Sequence, residues 1–97
     1  MIEFEWDPNK AKLNLRKHGV AFKEAATVFR DPLSITFNDP DHSEEEDRSI
    51  IVGLSDAGRL LIVAHTNRGG RTRIINAREL TRSEREAYEE EIKTRKY

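Results

Sequence analysis

From Arg48 onward, three β-prone runs rich in apolar residues are separated by turn chemistry. β-prone runs bounded by turn residues read as strands. The runs are residues 48–54, 59–66 and 71–78. Ser55-Asp56-Ala57-Gly58 separates the first two, and Asn67-Arg68-Gly69-Gly70 the last two. Paired glycines supply the positive φ that tight hairpins need. Connections this short predict antiparallel neighbours, so the three runs form a meander. Residues 33–37 read as a further strand on one edge, with Leu33, Ile35 and Phe37 on one side. At the N-terminus, Ile2, Phe4 and Trp6 alternate with Glu3 and Glu5 as a short strand.

Helical spacing fills the gaps. Asp7 is a good N-cap, and Pro8 occupies the first helical position, where a missing N–H costs nothing. The helix continues through His18, with Ala11, Leu15 and His18 on one face. Gly19 is the expected left-handed C-cap, with Val20 packing back on the last turn. Phe22, Ala25, Ala26 and Phe29 follow at i, i+3, i+4 and i+7, the spacing of an amphipathic helix. That helix ends at Asp31-Pro32, because proline pushes the preceding residue out of the α region. Thr81-Arg82-Ser83-Glu84 is a capping box with Leu80 as its staple residue. The helix it opens has a thin apolar face of Ala87, Tyr88 and Ile92, and Glu89/Lys93 and Glu91/Arg95 are spaced for i, i+4 pairing. The predicted order is β-α-α-β-β-β-β-α. This is an α+β domain over residues 1–97, an antiparallel sheet with two N-terminal helices and one C-terminal helix.

Composition narrows the class. The 97 residues are 36% charged and 36% hydrophobic, with no cysteine. Disulfides and thiolate metal sites are excluded, and a reducing compartment fits. No apolar run reaches membrane-spanning length, and the opening residues lack a signal peptide's order, so a cytoplasmic protein is expected. The net charge of −1 conceals segregation: residues 39–47 are almost solidly acidic, while residues 10–17 and 68–85 are basic. Local sign governs attraction of a polyanion. The acidic stretch reads as a loop and a solvated face.

Arginine is concentrated around the Gly-Gly hairpin, at Arg68, Arg71, Arg73, Arg78, Arg82 and Arg85. Planar guanidinium forks match phosphate or carboxylate. With Gly69-Gly70 as a two-residue turn, Arg68 faces Arg71, Thr66 faces Arg73 and His65 faces Ile74. Simple alternation then puts Thr66, Arg68, Arg71 and Arg73 on one face, and His65, Asn76 and Arg78 on the other with Leu61 and Val63. Arg68 opposite Arg71 needs a counter-charge. Either the acidic loop or a phosphate would supply it, and both remain open.

His18, His42 and His65 match no metal-ligand spacing, and Gly69-Gly70 is not followed by the Lys-Ser/Thr of a phosphate loop. No metal or cofactor is expected. Metal-free cleavage of RNA needs a base for the 2′-hydroxyl, cations for developing charge and an acid for the leaving oxygen. The residues near the hairpin that could serve are His65, Arg68, Arg73, Arg78, Glu84 and Tyr88, with Arg71, Lys17 and His18 as further RNA-binding candidates. Several have plainer readings. His65 and Tyr88 fit a core, Glu84 a cap, and Lys17 the end of a helix.

The ordered set of motifs resembles a known family. Phe4-x-Trp6-Asp7, Lys10, Asn14, Lys17-His18-Gly19-Val20, Phe22-x-x-Ala25 and Val28-Phe29-x-Asp31-Pro32 resemble the BrnT family of bacterial toxins. So do Arg48 with Gly53, Thr66-x-Arg68, Arg73-Ile74-Ile75-x-Ala77-Arg78 and Ser83-Glu84-Arg85-x-x-Tyr88. Asn76 departs from the pattern, where serine is expected, and the C-terminal Arg-Lys-Tyr lies outside it. The resemblance implies a RelE-like fold and a metal-independent ribonuclease toxin of a type II toxin–antitoxin pair. It implies a ribbon-helix-helix (BrnA-like) antitoxin as partner, RNA as substrate, and operator DNA reached only through the antitoxin. It also points to Arg68, Arg73 and Arg78 as the catalytic arginines. Two alternatives use the same sheet without catalysis: a nucleic-acid-binding module, and a protein-interaction subunit that docks an acidic segment.

Overall fold

The β-prone runs pair as one five-stranded sheet in the order β1-β5-β4-β3-β2. In this computed structural model, which describes residues 1–39 and 47–95, the strands are β1 (Phe4–Glu5), β2 (Ile35–Asn38), β3 (Arg48–Leu54), β4 (Leu60–Arg68) and β5 (Arg71–Glu79). The helices are α1 (Pro8–His18), α2 (Phe22–Thr27) and α3 (Arg82–Arg95), with a 3-10 turn at Val28–Arg30 after α2. β2 to β5 are antiparallel, and β1 pairs parallel with β5. Of the acidic loop expected at 39–47, residues 40–46 lie outside the described residues.

Local chemistry fixes the element ends. Asp7 accepts from Asn9 N–H at 2.8 Å, and Pro8 begins α1. Gly19 stops the helix at φ 70° and donates to Leu15 C=O at 2.9 Å. Thr81 and Glu84 close the capping box: Thr81 N–H donates to the Glu84 carboxylate at 2.9 Å, and Glu84 N–H to Thr81 Oγ1 at 3.3 Å.

The core lies between one sheet face, bearing Ile51, Leu61, Val63, Ile74 and Ala77, and Val20, Phe22, Ala25 and Val28 from α2 and its flanks. Phe4, Trp6 and Phe29 close its rim with edge-to-face ring contacts, Phe4 to Phe29 at 5.1 Å and Trp6 to Phe22 at 6.0 Å. Gly53 is required by this packing. A Cβ there would stand 3.0 Å from both the Asp31 carboxylate and Ser34 Cβ, and 3.1 Å from Val28 Cγ1.

Four expectations change. Leu15 is 52% exposed, and Asn14, 6% exposed, is the inward residue of α1. Its side-chain amide donates to Val20 C=O at 2.9 Å and Ala77 C=O at 2.8 Å, and accepts from Ala77 N–H at 3.1 Å. It thus fills the outer edge of β5 where β1 has ended. Ile2 is outside the N-terminal strand and exposed. Leu33 belongs to a turn, because Asp31 Oδ1 accepts its N–H at 2.9 Å, and the edge strand starts only at Ile35. Among the described residues of α3, the i, i+4 ion pair is Arg82 with Glu86 rather than Glu89/Lys93 or Glu91/Arg95.

Asn14→Ala removes three buried hydrogen bonds and leaves strand and loop backbone groups without partners. A loss of about 3 kcal/mol is expected, since each buried orphan costs roughly 1–3 kcal/mol. Urea unfolding should show a lower midpoint at an unchanged slope.

Candidate active site on the open face of the sheet

One irregularity decides where Arg78 points. Opposite β4, the partners run Arg71 to Arg68, Arg73 to Thr66 and Ile74 to His65, as the Gly-Gly turn requires. The next pair is Asn76 with Ala64, so Ile75 is skipped as a bulge, and Arg78 then faces Ile62. Partners across a ladder share a face. Ile62, Ala64, Thr66 and Arg68 alternate on one side of β4, so Arg68, Arg71, Arg73, Asn76 and Arg78 all lie on that side. The grouping of Arg78 with His65, Leu61 and Val63 is therefore corrected. Simple alternation ignores the bulge, and the bulge inverts every residue beyond it.

The result is a row rather than a cluster. Arg78 lies opposite Ile62, six residues along β4 from Arg68, about 20 Å at the rise of a strand. Arg48 joins the middle of the row, because β3 puts it against Thr66. Arg48, Arg78, Lys10 and Asp39 surround an open hollow of about 460 Å³ floored by Ile62, Ala64 and Ile75. Asp39 is 6% exposed, and its N–H donates to Arg48 C=O at 3.0 Å.

Carboxylates hold the guanidiniums. Glu5 on β1 accepts from Arg73 Nη1 at 2.8 Å. Glu84 takes both terminal nitrogens of Arg78, at 2.8 and 3.0 Å, and Arg78 Nη1 also reaches Glu79 C=O at 3.1 Å. Such forked pairs fix orientation as well as charge. Arg71 finds its counter-charge in Glu3 and Glu5, at 3.7 and 3.9 Å. These are long, exposed contacts that hold it loosely. Arg68 has no ion-pair partner among the described residues.

The remaining candidates divide. His65 points into the opposite face, edge-on to Phe29 at 4.8 Å, with its buried Nε2 making no hydrogen bond among the described residues. Burial pushes its pKa down, so the ring is neutral near neutrality. The structure does not bring it to the arginines. Tyr88 donates to Leu33 C=O at 3.2 Å and fastens α3 across the edge strand. Lys17 and His18 border a second hollow beside Asn76, at the end of α1. Glu84 is held far below the ordinary carboxylate range, at about 2, chiefly by the Arg78 hydrogen bonds and then by Thr81 N–H. It is a standing anion that positions Arg78.

Sequence reasoning passed over Arg48 and Lys10 as site residues. The signal for Arg48 was present, since the Ser55–Gly58 turn sets its register against Thr66. Among the described residues, no group of three or more His, Cys, Asp or Glu side chains is arranged to hold a metal. No helix among them is long and apolar enough to cross a membrane.

A five-stranded sheet with an apolar face under α2 and a row of arginines on the other defines a small α+β domain with one basic face. The chain belongs to the BrnT family: residues 6–84 match the family described as "Ribonuclease toxin, BrnT, of type II toxin-antitoxin system". Type II toxins act opposite an antitoxin partner. The fold is that of the Brucella abortus ribonuclease toxin BrnT, known from a 1.1 Å crystal structure. The match has a TM-score of 0.66 at 19% sequence identity, covering 84% of this chain and 100% of that one. No curated protein matches the chain.

The Glu84 carboxyl should titrate at about 2 against an ordinary 4.5. The unfolded chain therefore takes up this proton first. The stabilisation from the pair is complete above pH 4.5, declines as pH falls, and is gone below about 2. In Arg78→Ala, NMR titration should show the midpoint rising toward 4.5 without reaching it, because Thr81 N–H still donates.

Proposed function

We propose that residues 1–97 act as one metal-independent endoribonuclease domain, the toxin of a type II pair, working in the cytoplasm and silenced by a ribbon-helix-helix antitoxin. Any contact with operator DNA runs through that antitoxin. The observation that carries the reading is the row of arginines on the open face, which the Ile75 bulge completes by bringing Arg78 to it. RNA supplies both its own nucleophile and a polyanionic backbone. The 2′-oxygen attacks the adjacent phosphorus, the bond to the 5′-oxygen breaks, and the proton lost by the hydroxyl is balanced by one gained at the leaving oxygen. Negative charge builds on the phosphoryl oxygens between these events. Preoriented cations stabilise that charge without reorganising at the moment of reaction.

Arg78, oriented by Glu84, and Arg48 across the same hollow are the residues that meet the scissile phosphate, and Arg73, oriented by Glu5 about 13 Å further along the row, meets a neighbouring one. Arg68 and Arg71 at the hairpin tip, and Lys17 and His18 at the end of α1, hold flanking phosphates. Glu84 and Glu5 position arginines. With His65 behind the sheet, electrostatic stabilisation and substrate alignment carry the rate, and protons exchange with solvent.

Protein freed of antitoxin should cut RNA in excess chelator. Arg78→Ala should lower the cleavage rate about 10²-fold, the scale seen when one oxyanion donor is removed, in assays run where circular dichroism shows the variant folded, since losing the Glu84 pair lowers its unfolding midpoint. Arg78→Lys should not restore it, because an ammonium cannot reproduce the fork. Folded protein that binds RNA and leaves it intact would replace the enzyme reading with the binding-module one.

A further inference from the structure

Consecutive strand residues ordinarily face opposite sides, yet Ile75 and Asn76 border the same two hollows. One is the hollow of Arg48 and Arg78. The other, about 490 Å³, lies against α1. Lys10 also borders both. The α1 residues of the second hollow include Lys10, Leu13, Asn14 and Lys17, the i, i+3, i+4, i+7 stripe of one helix face. Lys10 and Lys17 are thus about 10 Å apart along the helix axis. Among the described residues neither lysine has an ion-pair partner. The Asn76 side-chain amide is exposed, makes no hydrogen bond among the described residues, and offers both donors and an acceptor. Two open hollows therefore meet over a shared floor, with a lysine at the junction and an unoccupied amide beside it.

We infer that the RNA strand crosses the β5 bulge, so that the second hollow holds the nucleotide next to the cut, with Lys10 on its phosphate and Asn76 reading its base edge. This rests on the ribonuclease reading and extends it from one phosphate to a subsite. Leu13 and Ile75 supply apolar walls for the faces of the base. Lys17 takes the following phosphate. An amide is the side chain best suited to a base edge, since it pairs with a donor and an acceptor together. A single strand is implied, because only an unpaired base presents that edge.

The test uses a 2′-deoxy-substituted, uncleavable oligoribonucleotide for binding and its cleavable counterpart for rate. Each lost phosphate contact should reduce the slope of log affinity against log salt by about 0.7, or about fivefold in affinity over one decade of salt. Lys10→Ala should show that change. Lys23→Ala, an exposed lysine on α2, should not. Asn76→Ala should leave the salt slope alone and flatten the cleavage preference among substrates that differ only in the base beside the cut. A Lys10→Ala slope equal to the parent's, or a base preference unmoved by Asn76→Ala, overturns the inference while the ribonuclease reading stands. Parent protein that neither binds nor cuts RNA overturns both.

Discussion

Ile75 has no partner on β4, and the division of labour between the two sheet faces follows from that omission. Before the bulge, Ile74 is buried and Arg73 is on the open side. After it, Ala77 is buried and Arg78 is on the open side. A regular strand would keep one of these pairs correct and invert the other. It would then drive the Arg78 guanidinium against Leu61 and Val63, and an unpaired buried cation is among the costliest things a core can hold. One extra residue lets a single strand serve an apolar core along its whole length and present arginine along its whole length.

Asn14 solves a related difficulty. A two-residue β1 leaves most of the outer edge of β5 uncovered, and buried backbone groups without partners are costly. The Asn14 amide supplies a donor and an acceptor in the geometry of a peptide, so a side chain stands in for the continuation of β1. The same economy appears at Asp31, whose carboxylate accepts from Leu33 N–H and Leu54 N–H and ties the turn before β2 to the end of β3. Gly53 leaves room for that carboxylate to approach.

Much of this was legible in the residues. Asp7-Pro8, Gly19 and Thr81-x-x-Glu84 gave helix ends, and Gly69-Gly70 gave the hairpin register near the turn, because caps and turns are set by contacts a few residues apart. The bulge was not legible, since nothing in Arg73-Ile74-Ile75-Asn76 distinguishes a skipped isoleucine from a paired one. Only the burial of both Ile74 and Ala77 by helices distant in sequence selects it. Asn14 was hidden for a similar reason: its partners are at Val20 and Ala77, and an isolated helix read by hydrophobicity turns Leu15 inward instead. The arginine row could be anticipated in composition. Its carboxylate clamps could not, because Glu5 reaches Arg73 from the far end of the chain.

That reach has a consequence for synthesis. Glu5 and Arg73 are 68 residues apart, and Asn14 and Ala77 are 63 apart. β1 and α1 are among the first elements made, yet they find their partners only when β5 has left the ribosome. Closing such long loops makes folding slow and late. A nascent or truncated chain that stops before Arg71 lacks the strand that both completes the core and bears most of the arginines, so shape and charge arrive together. The basic face is completed only as the core is, with Arg48 and Arg68 waiting for Arg71, Arg73 and Arg78.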